Sequence, residues 1–250
     1  MSLSASLVAD LDFSGRRVLV TGAAHGIGAA MARAFAAQGA ALVLADVEAA
    51  ALGAVADPLG AEHHVFDQGD AGSIRTLSAA VGEVDVLVNN AGVLLAGPML
   101  DAAEGPVRRL IDVDLLGVLF LMQAFGRGMA RRGDGVVLNI SSQTAFCGGE
   151  NRGIYAAAKA AVAQLTRAAA VEWGPSGVRV LALAPGRSLT RMTQTTASAG
   201  YTGDRGLDRV PLGRWGTAEE MARLAVLMCS RAAAYVTGET LIADGGYVVG

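Results

Sequence analysis

Short runs rich in valine, leucine and isoleucine recur along the chain with longer alanine-rich segments between them, and this alternation limits the available folds more than any other feature. The runs "RRVLVTG", "ALVLAD", "HHVFD", "VDVLVNN", "GVVLNIS", "VRVLALAPG" and "ETLIADGG" predict strands. Helical spacing of apolar residues predicts helices over 27–38, 108–131, 155–173 and 218–229. Several strands are apolar on both faces, as parallel strands covered by helices on both sides must be. The expected fold is therefore α/β, a doubly wound parallel sheet whose ligands sit beyond the carboxyl ends of its strands.

A chain of 250 residues can bury one large core and carries no linker-like stretch, so residues 1–250 are expected to form a single domain. A net charge of -3, with no basic cluster beyond pairs such as Arg131-Arg132, argues against nucleic acid as a partner. The opening "MSLSASLVADLD" lacks a basic start and a long apolar run, and "LLGVLFLM" falls far short of the ~18 residues a membrane span needs. A cytoplasmic protein with no membrane partner is expected. Cys147 and Cys229 have neither paired spacing nor histidines nearby, so they are expected to be small buried hydrophobes, with no metal site.

The first strand runs into "TGAAHGIG", Thr21 to Gly28. Glycines at 22, 26 and 28 let the backbone turn tightly and approach a ligand. The helix that follows, opening at Ile27, aims free N–H groups at an anion such as a pyrophosphate. His25 in this turn is read as neutral. The second strand ends in Asp46, whose carboxylate can accept bonds from both adenosine ribose hydroxyls and would repel a 2′-phosphate. No lysine or arginine in the turn or just after Asp46 offsets that repulsion, so the expected cofactor is NAD rather than NADP.

Of the 20 basic residues, lysine occurs once, at Lys159 in "IYAAAKAAV". On a helix, Tyr155 and Lys159 share a face. A free tyrosine has a pKa near 10, so only about a thousandth is phenolate at pH 7. A nearby cation in a partly desolvated site can supply the ~4 kcal/mol needed to lower that pKa by ~3 units. Lysine suits the task because its compact ammonium can bond ribose hydroxyls while lying beneath the phenol, which a planar guanidinium cannot.

With these residues in view, the chain resembles the short-chain dehydrogenase/reductase family over nearly its whole length, from "DFSGRRVLVTGAAHGIG" to "YVTGETLIADGG". "NNAG" up to Gly92, "NISS" up to Ser142, "YAAAK" from Tyr155, "APG" up to Gly186, "PLGRWGTAEEMA" from Pro211 and "DGG" from Asp244 keep the family's order and spacing. The resemblance implies a single Rossmann-type domain in which Tyr155 is the general acid/base, Ser142 orients the substrate oxygen, and Lys159 holds the nicotinamide ribose and lowers the tyrosine pKa. It implies further cofactor contacts at Gly22, His25, Gly26, Ile27 and Gly28 in the first turn. Asp67 is implied to accept from the adenine amine and Gln68 to offer its backbone. Asn90, Ala91 and Gly92 pass the adenosine ribose, Ile140 joins the set, and Pro185 and Gly186 lead to a nicotinamide carboxamide site at the Ser188 backbone and the Thr190 hydroxyl.

The chain departs from the family at two of these positions. Ser188 replaces the usual isoleucine or valine, which leaves a backbone contact intact. Asp114 in "LIDVDLLGVLF" replaces an asparagine of the family's proton relay, in which the backbone carbonyl holds a water. An ionised Asp114 within several Å of Lys159, a like-sign charge ~6 Å from the phenolate, would raise the Tyr155 pKa by on the order of one unit; the alternative is that Asp114 turns away and leaves only its backbone carbonyl in the relay.

The irregular segment at about 187–210, rich in Gly, Ser and Thr, is expected to be a lid over the nicotinamide. Candidate substrate contacts are Leu94, Leu95, Gln143, Glu150, Asn151 and Arg187. Glu150 and Asn151 suit the hydroxyls of a sugar or polyol, while Arg187 suits a carboxylate. The expected activity is NAD-dependent interconversion of a secondary alcohol (polyol, sugar or hydroxy acid) and its ketone. The alternatives are a 3-ketoacyl-type carbonyl reductase, opposed by Asp46, and a non-catalytic nucleotide-sensing protein, opposed by the presence of Ser142, Tyr155 and Lys159. Alanine-rich 155–173 and apolar 115–122 match the helices that pair across a two-fold axis in the resembling family, so a homodimer or homotetramer is expected.

Overall fold

The computed structural model describes residues 3–188 and 207–250. Seven strands among them form one parallel sheet: β1 (Arg17–Thr21), β2 (Ala41–Asp46), β3 (Glu62–Val65), β4 (Val86–Asn89), β5 (Gly135–Ile140), β6 (Val178–Pro185) and β7 (Thr240–Ala243). Their order is β3-β2-β1-β4-β5-β6-β7, so the direction of winding reverses between β1 and β4. That reversal opens a crevice at the carboxyl ends of these two central strands.

Helices cover both faces: α1 (Leu3–Asp10), α2 (Gly26–Ala37), α3 (Ala49–Ala56), α4 (Ala71–Val81), α5 (Glu104–Ile111), α6 (Gly117–Arg132), α7 (Gly153–Trp173) and α8 (Ala218–Cys229). The period of two in each strand divides the core between them. Val18, Val20, Val86, Val88, Leu138 and Leu181 face the layer containing Met31, Phe35, Met221 and Ala225. Their neighbours Leu19, Leu87, Val137 and Val180 face the opposite layer, with Leu121, Met122, Phe125 and Val162. Each such side chain, removed from water, contributes about 1.5–3 kcal/mol. The strands thus read as continuous apolar runs because both faces are covered.

Several boundaries differ from the sequence expectation. The strand read through Asp67 ends at Val65; β3 is an edge strand in which Glu62, His63 and Val65 are exposed, so burial does little to extend it. Helices α1, α3 and α4 were not predicted. The last of these is signalled by Asp70, whose carboxylate caps it by accepting the Gly72 N–H. The helix expected over 108–131 begins earlier and contains a single π turn, Asp112–Leu116, between α5 and α6. Gly117 follows that turn because a Cβ there would collide with the Gln68 carbonyl oxygen. The wider turn buries Val113 and Asp114 together, and such turns commonly mark functional positions. Cys229 is buried as expected, but Cys147 is only half-buried beside the site. No described helix is long and apolar enough to cross a membrane.

Candidate active site

The loops leaving β1, β2, β4, β5 and β6 converge on the crevice. At β1, Gly22 has φ 64° and Gly26 φ 52°, both in the left-handed region that favours glycine. A Cβ on Gly22 would lie 2.7 Å from the Ala91 Cα, and one on Gly28 would strike the Gly22 carbonyl oxygen. The turn is therefore packed against "NNAG" and against the start of α2, leaving backbone as the surface available to a ligand. His25 stands at the N-cap of α2, with its Nε2 3.2 Å from Glu48. Asp46 Oδ2 accepts the Ala24 N–H at 3.0 Å and Oδ1 accepts the Glu48 N–H at 3.0 Å.

A buried network ties this turn to the loops after β3 and β4. Thr21 Oγ1 accepts the N–H groups of Asn90 and Ala91, each at 3.1 Å, and donates to Gln68 Oε1 at 3.1 Å. Gln68 Nε2 donates to the carbonyls of Ala91 and Val113, at 3.0 and 2.9 Å. Asn90 Nδ2 donates to the carbonyls of Thr21 and Gly22, at 2.9 and 3.0 Å. Sequence reading gave Gln68 a backbone role only; its side chain is the knot of three loops. Thr21 was missed too, although a hydroxyl at the end of a buried strand is a signal for such a role. Asp67, two residues past β3, accepts from Arg109 Nη2 at 2.8 Å and from the Gly69 N–H at 2.8 Å. The guanidinium bond, assisted by the backbone bond, holds the Asp67 carboxyl below its usual range.

The end of β5 is braced in the same way. Asn89 Nδ2 donates to Asn139 Oδ1 at 2.8 Å, and Asn139 Nδ2 donates to Thr166 Oγ1 on α7 at 2.9 Å. Ser141 Oγ donates to the Lys159 carbonyl at 2.8 Å. These bonds, also missed in the sequence, fix α7 on β5 and so fix Tyr155 and Lys159 relative to Ser142.

Ser142 follows β5, buried, with its oxygen accepting the Thr144 N–H at 3.2 Å. Ser142 favours the anionic form of the Tyr155 phenol. Lys159 Nζ lies 5.8 Å from the Tyr155 ring centroid and donates to the Ile140 carbonyl at 3.1 Å. Lys159 is 3% exposed and Asp114 0%. Asp114 Oδ2 is 3.1 Å from Lys159 Nζ, while Oδ1 accepts the Val93 N–H at 2.7 Å. The aspartate side chain itself, and not only its backbone, therefore belongs to the constellation.

Burial pushes the Tyr155 phenol up, and Asp114 adds to this; Lys159, Ser142 and Arg152 act in the opposite direction without cancelling it. For Lys159, burial alone would lower the pKa, but Asp114 and the Tyr155 oxygen outweigh it and raise it. The lysine is thus firmly charged in a nearly dry site.

Pro185 ends β6 and Gly186 follows it at the crevice floor. A Cβ on Gly186 would overlap Asp244 and lie 2.9 Å from Gln143 Oε1. That amide oxygen is buried with no protein donor, so Gln143 does border the crevice floor. Ser188 is buried and its backbone bridges to Gly216. Arg187 lies 5.5 Å over the Trp215 ring. Leu94 is half-buried; Leu95 lines a recess with Gly97, Asp101 and Ile154. Asn151 adopts φ 58° and its carbonyl accepts the Gly97 N–H at 3.0 Å, whereas Glu150 is exposed. Thr190 and most of the lid segment, residues 189–206, lie outside the described residues. No cluster of His, Cys, Asp or Glu suited to a metal ion occurs among the described residues.

The glycine cradle, a helix N-terminus behind it and a carboxylate at the end of β2 fit a dinucleotide, with the pyrophosphate over residues 22–28 and a ribose at Asp46.

Comparison with known proteins agrees with this arrangement. A family model described as enoyl-(acyl carrier protein) reductase matches residues 22–248. Galactitol 2-dehydrogenase (L-tagatose-forming) of Cereibacter sphaeroides is 42% identical over 238 residues, covering 92% of this chain and 94% of that protein. D-threitol dehydrogenase of Mycolicibacterium smegmatis is 36% identical over 260 residues, covering all of both. The crystal structure of a gluconate 5-dehydrogenase from Burkholderia cenocepacia, in complex with NADP and tartrate, superposes with a TM-score of 0.91 at 33% identity, covering 98% of this chain and 99% of that one. By sequence, fold and the grouping of serine, tyrosine and lysine at the crevice, the chain belongs to the short-chain dehydrogenase/reductase family.

Proposed function

We propose that the chain is an NAD-dependent dehydrogenase that interconverts a polyol or sugar alcohol and its ketone. The observation that carries this reading is the Tyr155 phenol, whose ring centroid lies 5.8 Å from the Lys159 ammonium, with Lys159 and Ser142 both favouring its anion. A bound nicotinamide would supply the two-electron exchange with the substrate carbon. Ser142 donates to the substrate oxygen and orients it. Tyr155 takes the hydroxyl proton during oxidation and returns it during reduction. Lys159, charged in either direction, stabilises the phenolate and offers its remaining N–H to a ribose hydroxyl.

Substrate class rests on the relatives, whose names specify galactitol, D-threitol and gluconate as their substrates. The preference for NAD rests on Asp46, since a second anion on the ribose would meet a carboxylate already fixed by two backbone bonds. The related crystal structure holding NADP makes cofactor choice the first thing to measure. Steady-state oxidation of galactitol, D-threitol and gluconate with NAD and with NADP tests the whole reading, with Tyr155→Phe as control. No turnover of any of them, or turnover undiminished in Tyr155→Phe, would overturn it.

Two copies or more are proposed to assemble through α6 and α7. On these helices Ala157 and Val171 are exposed and Leu119, Phe120 and Leu165 only half-covered, and Leu116, the last residue of the π turn before α6, is exposed as well, which supports a further layer of protein there.

A further inference from the structure

The Asp114 carboxylate is wholly enclosed, and its two oxygens serve different partners. Oδ1 holds the Val93 N–H at 2.7 Å, which fixes the loop after "NNAG"; Oδ2 lies 3.1 Å from the Lys159 ammonium. Gly92 makes room for this, because a Cβ there would sit 3.0 Å from Oδ2 and 3.2 Å from Nζ. Water is excluded, so neither charge is screened by solvent. From the Tyr155 oxygen the two groups together look less like a cation than like a dipole, and the field that would favour the phenolate is weakened.

We propose that Asp114 is a positioning residue acting through Lys159. By pairing with the ammonium it keeps Tyr155 protonated near neutrality, so that the site donates a proton to a carbonyl there and accepts one from an alcohol only in alkaline solution. The proposal rests on the reading of Tyr155 as the acid/base. Among the described residues, the charged groups acting on the phenol are Lys159 on α7 and Arg152 just before it, which favour the anion, and Asp114 in the π turn, which opposes it. Ser142 after β5 also favours the anion, while burial of the ring opposes it.

The sign follows directly. A phenolate beside a carboxylate is disfavoured, so removing the carboxylate lowers the tyrosine pKa. Lys159 stays charged in the Asp114→Asn variant as Tyr155 ionises, because the phenolate is itself an anion beside it. Asparagine retains an oxygen for the Val93 N–H, while its amide N–H groups replace the carboxylate oxygen facing Lys159, so the charge and the contact with the ammonium are lost together.

The test compares the pH dependence of oxidation and reduction at saturating cofactor in the unmodified enzyme and in Asp114→Asn. The acidic limb of oxidation should move down by about one pH unit, and the alkaline fall of reduction should begin lower by the same amount. Superimposable limbs in a folded variant would overturn the proposal. Ultraviolet titration of phenolate, read as the difference between the unmodified protein and Tyr155→Phe, needs neither substrate nor a folded Asp114→Asn. A Tyr155 ionising at or above the ordinary tyrosine range supports the proposal, and one ionising well below that range sinks it. Because the titration needs no turnover, a wrong assignment of activity would silence the assays without altering it.

Discussion

Asp46 reaches back from the end of β2 to accept the Ala24 N–H in the glycine turn at 3.0 Å. One carboxylate thus shapes the pyrophosphate turn and presents its remaining lone pairs where a ribose would lie. Asp46→Ala should lower kcat/KM for NAD by about 10-fold or more, the effect of losing a hydrogen bond to a charged group worth about 1.5–3 kcal/mol. Loss with NADP should be smaller, since the repulsion of a 2′-phosphate disappears together with the turn contact. Initial-rate measurements with both cofactors check this, and an unmodified enzyme that already prefers NADP would refute the reading of Asp46.

Lys159→Arg should reduce turnover by at least ~100-fold. The ammonium occupies a closed space between the Ile140 carbonyl and Asp114, too narrow for a planar guanidinium to keep both contacts and remain near the phenol. Circular dichroism should show the fold retained. Near-normal kcat in the variant would mean that a positive charge of any shape suffices.

The start of α8 is held by a reciprocal cap in which Thr217 Oγ1 accepts the Glu220 N–H at 3.1 Å and Glu220 Oε2 accepts the Thr217 N–H at 2.9 Å. Loss of the hydroxyl in Thr217→Ala should cost about 1 kcal/mol, or about 2–4 °C in Tm for a chain of this size. Glu220 also bonds Arg214, and that bond with the cap pushes its carboxyl down to about 2 from 4.5. A depressed folded-state pKa means stability present above the unfolded value and lost as pH falls toward about 2. Thermal unfolding at graded pH should therefore show Glu220→Gln and the unmodified protein converging between pH 4.5 and about 2.

Light scattering at micromolar concentration should report a mass of two or four chains. Replacing the exposed Leu116 and Val171 by aspartate should shift that mass toward one chain, since a charge buried without a partner disfavours the contact. A monomeric mass for the unmodified protein would refute assembly through α6 and α7.

The parallel sheet was legible because both of its faces are covered, which turns each strand into an apolar run that no surface element would carry. The edge strand β3 was misjudged at its end because it lacks that cover. The π turn left no trace in the apolar spacing, since adding one residue to a turn moves Val113 and Asp114 inward without changing the residue types. Tyr155, Lys159 and Ser142 were readable through one family-wide spacing. The Asp114–Lys159 pair and the knot at Thr21 and Gln68 were not, because each joins elements far apart in the chain and depends on side-chain direction. Whether Glu150 or Arg187 meets a substrate is likewise set by neighbours rather than by residue type.

The reversal of winding beside β1 has a consequence for how the polypeptide comes off the ribosome. Residues 18–20 of β1 pair on one side with β2, which follows at once, but on the other with residues 86–88 of β4, made much later. Until then the nascent chain carries a bare strand edge flanked by valine and leucine on both faces, the kind of surface that recruits a second molecule. Yield on synthesis or refolding should therefore depend on dilution and on chaperones well before the active-site crevice exists.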